Sequence, residues 1–311
     1  MSERTVLIYN RFASKRHTAL NVNNILNELE KAGISAQAVL TNKAGSGIEI
    51  AENAVKNGAE RIIVSGGDGT VNETVNGLIL AQKHGYGKAT LGIIPNGRGN
   101  DYCFSMNIPL KLEDAVKIIQ EGYTRPVDIG VAGDGTFERY FCNGSGFGID
   151  SAINYRASIS KLGGFPSYLW GLIQSLLLDA HERNVTITLD EQPEISLPIL
   201  LFTAMNGKRE GGGFILGPDF DIGDGKLDVT AIGDHIHFLS MLRLVKLIFK
   251  GDLSDPYFHT YKASSVHVHT DDKGMFAQVD GETIIKEGHD FYASIIPEKI
   301  DLFIKKPQKA C

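Results

Sequence analysis

Cysteine is scarce: Cys103, Cys142 and Cys311 are the three in 311 residues. Their odd number and wide spacing exclude a disulfide framework and a cysteine-based zinc site. They point to free thiols in a reducing compartment. Positive charge is not in excess either. A formal net charge of −6 argues against a general nucleic-acid binder, and no nucleic-acid partner is expected. No stretch approaches the ~20 consecutive apolar residues that span a bilayer. The opening MSERTVLIYN also lacks the apolar core of a secretory signal. The expectation is a soluble, cytoplasmic protein that touches a membrane only peripherally, at the inner surface.

What is present is ordinary globular composition, 42% hydrophobic and 22% charged. The length suits two domains of roughly 130 to 180 residues. Through the first 125 residues strand and helix signals alternate. Val6–Tyr9, Ile34–Thr41, Arg61–Ser65 and Ala89–Ile94 read as strands. Residues 18–32, 46–57, Val71 to about Gln82, and 111–121 read as helices. That alternation predicts a doubly wound α/β domain, a parallel sheet covered on both faces, with ligands beyond the carboxyl ends of its strands.

After Arg125-Pro126 the pattern changes. Val127–Val131 and Phe137–Asn143 flank a turn at Gly133-Asp134-Gly135-Thr136. Helical stretches follow near 149–159 and 165–181. Short β-rich runs come next at 184–189, 196–206, 226–232, 258–269, 275–279, 283–286 and 290–295, with one helix, His237–Lys250, among them. Short strands with Asp-Gly turns at Asp224-Gly225 and Asp280-Gly281 predict an antiparallel β-sandwich. No repeat or low-complexity linker separates the halves, so the two domains are expected to meet along a cleft.

Two glycine-rich turns carry the chemistry. In Ser65-Gly66-Gly67-Asp68-Gly69-Thr70 a buried strand runs into three glycines around one aspartate, and a helix follows directly after Thr70. Glycines let backbone N–H groups approach phosphate oxygens, and a helix N-terminus adds partial positive charge. The loop is neither a dinucleotide G-x-G-x-x-G nor a Walker A loop. A plain strand-to-helix turn would also favour Gly and Asp, and the same four letters at Gly133–Thr136, with no helix after them, read only as a hairpin turn. The second turn, Pro95-Asn-Gly97-Arg98-Gly99-Asn100-Asp101, ends the next strand. It adds an amide and a carboxylate able to hold a metal or its waters.

GGDGTVNETVNGL and PNGRGND resemble the catalytic-domain family of diacylglycerol kinases, which includes bacterial lipid kinases and sphingosine kinases. The resemblance covers nearly the whole chain. It continues through Asn10 and the loop to Lys15, Thr41 at the second strand's end, Asn206-Gly207 to Gly213, Pro218, Asp224 to Val229, and Gln278-Val-Asp280-Gly281-Glu282. There are departures. Arg11 and Ser14 stand where Pro and Gly are usual, Arg98 where Thr or Ser is usual, and Phe104 where an Arg often follows. They leave the details of nucleotide binding and the acceptor open, and remove no carboxylate.

The resemblance implies an ATP- and Mg²⁺-dependent lipid kinase, most simply acting on diacylglycerol. Glu282, in the Asp280-Gly281-Glu282 element, would be the general base, although a hairpin tip with a solvated Glu reads the same way. Asp68 and Asp101 would organise Mg²⁺, with Asp280 among the catalytic acids. Gly66, Gly67, Gly69, Thr70 and Gly97 would cradle phosphates, with Asn10, Thr41 and Asn100 nearby. Lys15 would add charge or lie solvated. Asp221, Asp224 and the Leu227 carbonyl resemble a second, structural Mg²⁺ site, or form a turn with incidental acids.

It also implies that the nucleotide-binding domain is residues 1–126 plus the returning tail 297–311, and the lipid domain 127–296. The apolar, basic helix His237–Lys250 suits either packing on the sandwich or a membrane surface. Gly163–Leu178, with Tyr168 and Trp170, suits a lipid pocket or core. A homodimer is compatible with the sequence. The competing readings are an NAD kinase-like enzyme and a catalytically silent lipid- or nucleotide-binding regulator.

Overall fold

The computed structural model describes residues 4–11, 20–162, 165–178 and 181–307. In chain order the elements begin β1 Thr5–Tyr9, α1 Val22–Lys31, β2 Ala36–Leu40, α2 Ser46–Lys56, β3 Arg61–Gly66, α3 Asp68–Lys83 and β4 Thr90–Pro95. They continue α4 Asp101–Ser105, α5 Leu112–Glu121, β5 Thr124–Val127, β6 Gly130–Gly133, β7 Glu138–Phe141, β8 Gly144–Gly148, α6 Ile149–Ile159 and α7 Phe165–Leu178. Then come β9 Arg183–Leu189, β10 Ile195–Met205, β11 Arg209–Glu210, β12 Phe214–Ile215, β13 Leu227–Gly233 and α8 Phe238–Lys250. The last are β14 Phe258–Ala263, β15 Ser265–His269, β16 Met275–Val279, β17 Glu282–Gly288, β18 Asp290–Ile295 and β19 Ile300–Phe303. They form two compact units, Met1–Val127 with Pro297–Cys311, and Asp128–Ile296.

In the first unit a six-stranded sheet runs β2-β1-β3-β4-β19-β5. Its strands are parallel except β5, which runs antiparallel to β19. Strand β3 is an apolar, β-branched run buried on both faces, as a central parallel strand requires. On one face Ile25 and Leu29 of α1, one helical turn apart, pack with Val116 and Ile119 of α5 over Leu7, Ile63 and Ile94. Asn21 caps α1 by accepting from Asn23 N at 2.9 Å. Helices α2 and α3 pack on each other and on β1 and β3.

The second unit holds an antiparallel sheet folded on itself through β10. The first half of β10 pairs with β9, and its second half, past an irregularity between Ile199 and Leu201, pairs with β8 and β13. The two halves of the sheet share one core. Phe147 of β8 stacks on Phe291 of β18 at 5.5 Å between centroids, and Phe202 of β10 meets Phe291 edge-on at 6.2 Å.

Three of the differences from the sequence reading have a visible cause. Helix α3 starts at Asp68, not Val71, because the Gly67 carbonyl accepts from both Thr70 N and Val71 N. The run 258–269 is two strands: β14 pairs with β13, while β15 pairs with β9 and β18. Asp190 pins the break, its Oδ1 accepting from the backbone N–H groups of Ser264 and Ser265. The run 127–131 likewise divides, with Val127 in the first sheet and Gly130 onward in the second.

Candidate functional site

The parallel register aligns the carboxyl ends of β2, β1, β3 and β4, and therefore Thr41, Asn10, Gly67 and Asn96 that follow them. Here the two glycine turns touch. A Cβ on Gly97 would stand 2.4 Å from the Gly67 Cα, so only glycines let these backbones meet. Asn100, at φ 50°, closes the second turn on itself: Gly97 N donates to its Oδ1 at 3.0 Å and its Nδ2 donates to Gly97 O at 3.2 Å. That turn aims the acids. A Cβ on Gly99 would lie 3.0 Å from Asp68 Oδ2 and 3.2 Å from Asp101 Oδ2, so both carboxylates converge on this backbone. Tyr102 N donates to Asp68 Oδ1 at 3.2 Å.

Around this pair the chain builds a support. Asn10 Nδ2 donates to Thr70 Oγ1 at 2.8 Å, and the Thr70 side chain lies over Gly66. Thr41 is buried, its N–H bonded to Tyr9 O at 3.0 Å. Gly69 is in the first turn of α3, whose N–H groups a helix cannot pair within itself. Burial raises the Cys103 thiol's pKa, and the Asp68 and Asp101 charges add to it, so this cysteine stays a neutral, inert thiol. Arg98 and Phe104 are exposed, and Lys15 lies outside the described residues.

Sequence reasoning passed over Glu73. It is buried in α3, and its two oxygens accept from Gly45 N at 2.7 Å and Gly47 N at 2.8 Å, capping α2. The available signal was an acid five residues beyond Asp68, the one acid after the first turn of α3.

In the second unit Asp280 and Gly281, at φ 46° and 82°, form the tight turn between β16 and β17. The Asp280 carboxylate accepts from the N–H groups of Cys142, Asn143 and Gly144 at 2.9 to 3.0 Å. It therefore fixes the turn against the start of β8. Glu282 follows, half-exposed, with Oε2 2.7 Å from Arg139 Nη1. Its carboxylate is oriented yet reachable from solvent.

Asp221 and Asp224 form local turns, accepting from Gly223 N and Lys226 N, and Leu227 starts β13 opposite Ala263. One cation of the chain lies against this loop. Lys262 Nζ lies 3.4 Å from Asp224 Oδ2, 3.4 Å from Asp228 Oδ1 and 3.1 Å from Asp219 O. Among the described residues no group of three or more His, Cys, Asp or Glu is arranged to hold a metal.

A cavity with about 770 Å³ of empty space opens between α6, α8 and β10. Ile153, Leu201, Leu216, Met241, Leu244 and Ile248 supply its apolar walls, and Asp150, Asn154 and Glu210 its polar groups. Met241, Leu244 and Ile248 are buried, so α8 packs inward on the sheet. Gln278, fully buried, donates to both Asp150 and Glu210. A little of Asp150's own surface faces the cavity, but protein surrounds it at longer range. Desolvation accordingly raises its carboxyl pKa to about 6, against hydrogen bonds from Ser151 and Gln278. Helix α7 presents Leu169, Trp170, Ile173 and Leu177 to solvent, and the Tyr168 side chain lies outside the described ones. No described helix is long and apolar enough to cross a membrane.

A model of the diacylglycerol kinase catalytic domain matches residues 4–132, and one of the YegS C-terminal NAD kinase beta sandwich-like domain matches 145–304. A diacylglycerol kinase of Staphylococcus carnosus is 28% identical over 284 residues, 91% of this chain and 89% of that protein. A Chromohalobacter salexigens protein named a probable lipid kinase YegS-like is 31% identical over 231 residues, 73% and 70% of the two chains. A solved diacylglycerol kinase structure from Bacillus anthracis str. Sterne superposes with TM-score 0.73 at 22% identity, covering 97% of each chain. An NAD kinase from Archaeoglobus fulgidus shares the fold more distantly, with TM-score 0.52 at 12% identity over 96% of this chain and 93% of that one.

Proposed function

Because this chain belongs to the diacylglycerol kinase catalytic-domain family, completed by a YegS-type C-terminal domain, we propose that it transfers the γ-phosphoryl group of ATP to a hydroxyl of a diacylglycerol-like lipid. The observation that carries this reading is the convergence of Asp68 and Asp101 on Gly99, between two glycine turns in backbone contact. Glycine there lets both carboxylates approach the backbone more closely than a side chain would allow. Two carboxylates facing one point, beside a helix N-terminus, suit polyphosphate and its metal. Mg²⁺ held by Asp68 and Asp101, through waters in part, would neutralise charge on the transferring phosphate.

The protein's own groups do the rest. Gly66, Gly67 and Gly97 let Thr70 and the two turns pack closely on one another and so shape the loops on which the phosphates would rest, with Asn10 and Thr70 as polar neighbours. Glu282 accepts the acceptor's hydroxyl proton as the oxygen bonds to the γ-phosphorus and the bond to the β-phosphate oxygen breaks, releasing ADP. Arg139 orients Glu282, and Asp280 positions the turn that carries it. The apolar cavity takes an acyl chain, with Asp150 and Glu210 near the lipid's polar end. The exposed apolar side chains of α7 support peripheral contact with a membrane on its cytoplasmic side.

Incubation with ATP, Mg²⁺ and total lipid extract, followed by mass spectrometry, tests the reading. A phosphate monoester of a neutral long-chain lipid is expected. Phosphorylation of added NAD, with lipids unchanged, would favour the NAD kinase reading instead.

A further inference from the structure

The second unit holds another cavity that the kinase reading leaves unused. It lies between α6, the start of β9 and the β16–β17 hairpin, with about 950 Å³ of empty space open to solvent. Arg156, Arg183, Lys273, Lys286 and His181 line it, and Glu287 is the one acid among its described lining residues. In a chain of net charge −6, composition alone does not gather four permanent cations in one concavity.

Neighbouring groups hold several of these side chains in place. Arg156 Nη1 donates to Ser175 Oγ at 2.7 Å. Arg183 Nη1 donates to the carbonyls of His181 and Glu182. Lys286 Nζ stands 4.9 Å from the centroid of the Tyr155 ring, which stacks on Phe276 at 5.5 Å. Arg183 Nε is buried and meets no acceptor among the described residues. The nearby Asp272 is taken up by Asn184, accepting from its N and Nδ2.

A buried donor without an acceptor is costly, and a ligand oxygen would relieve it. A carboxylate offers two oxygens and can satisfy one guanidinium. A phosphate group offers more, enough to meet two guanidinium groups and the lysines together. We propose that this cavity binds a phosphate group, carried either by a soluble phosphate compound or by an anionic lipid headgroup. Its lining residues all belong to the second unit, and the proposal stands whether or not the acceptor assignment holds.

The test compares wild type with the double variant Lys273→Gln/Lys286→Gln, whose side chains are exposed and lie outside the catalytic machinery. In one arm inorganic phosphate is titrated while the Arg183 Nε–H resonance is followed by NMR, which reports on this cavity alone. In the other, flotation measures binding to phosphatidylcholine vesicles with and without phosphatidylglycerol. For a soluble ligand, phosphate shifts the resonance saturably, and the double variant weakens binding roughly tenfold. For a headgroup, phosphatidylglycerol strengthens vesicle binding, and the variant loses about thirtyfold of it. Indistinguishable behaviour of the two proteins in both arms would overturn the proposal.

Discussion

Removing the acceptor's proton needs an ionised group that is held still yet reachable, and Glu282 beside Arg139 meets both conditions. Glu282→Gln keeps the shape but cannot take a proton. Its kcat should fall by about two to four powers of ten with little change in ATP affinity, measured by steady-state kinetics over a Mg²⁺ series. A joint weakening of ATP and Mg²⁺ dependence would make it a metal ligand instead. Asp150 gives a second test at this scale. Its folded pKa of about 6 lies above the ordinary 3.8, so the folded state holds its proton more tightly than the unfolded chain. The resulting stabilisation is complete below about pH 4 and lost as pH rises through about 6, amounting to at most about 3 kcal/mol. Asp150→Asn has no such titration. Urea unfolding should therefore show the variant gaining on wild type from pH 4 to 6, then a constant difference; a difference flat across that range contradicts the assignment.

Among elements, α2 and α3 depend on one buried acid. Glu73→Ala leaves the Gly45 and Gly47 N–H groups without their acceptor and should cost about 1–3 kcal/mol of stability by chemical denaturation. Gly97→Ala forces a Cβ against the Gly67 backbone. It should cost about 1–3 kcal/mol as the turns separate, with ATP affinity falling in a nucleotide titration; unchanged affinity would show that the contact does not shape the nucleotide site. The two glycine turns were legible because glycine clusters after apolar strands are a local signal. Glu73 was not, since its partners lie 26 and 28 residues away. The division of 258–269 was hidden for a similar reason: Asp190, which pins the break, is far off in sequence.

At the scale of the whole molecule, the fold class followed from periodicity: strand–helix alternation for the parallel sheet, short strands with Asp-Gly turns for the antiparallel one. What periodicity could not supply was the pairing. Nothing local says that β19 lies between β4 and β5, or that β10 serves both halves of the second sheet, because both depend on partners distant in sequence. The Lys262 ammonium among Asp219, Asp224 and Asp228 is likewise a product of strand pairing, since β14 runs beside β13 with Lys262 opposite Asp228.

The assignment of the paired carboxylates is tested most directly by transfer of label from γ-labelled ATP to diacylglycerol in detergent micelles, comparing wild type with Asp68→Ala. Asp68 is half-buried in the first turn of α3 and accepts from Tyr102 N at 3.2 Å, so the variant's unfolding transition is measured beside the transfer. We predict labelled lipid phosphate from the wild type and a loss of about a hundred- to a thousandfold in the variant. Near-normal transfer by Asp68→Ala at saturating ATP and Mg²⁺, with the fold intact, would contradict the assignment.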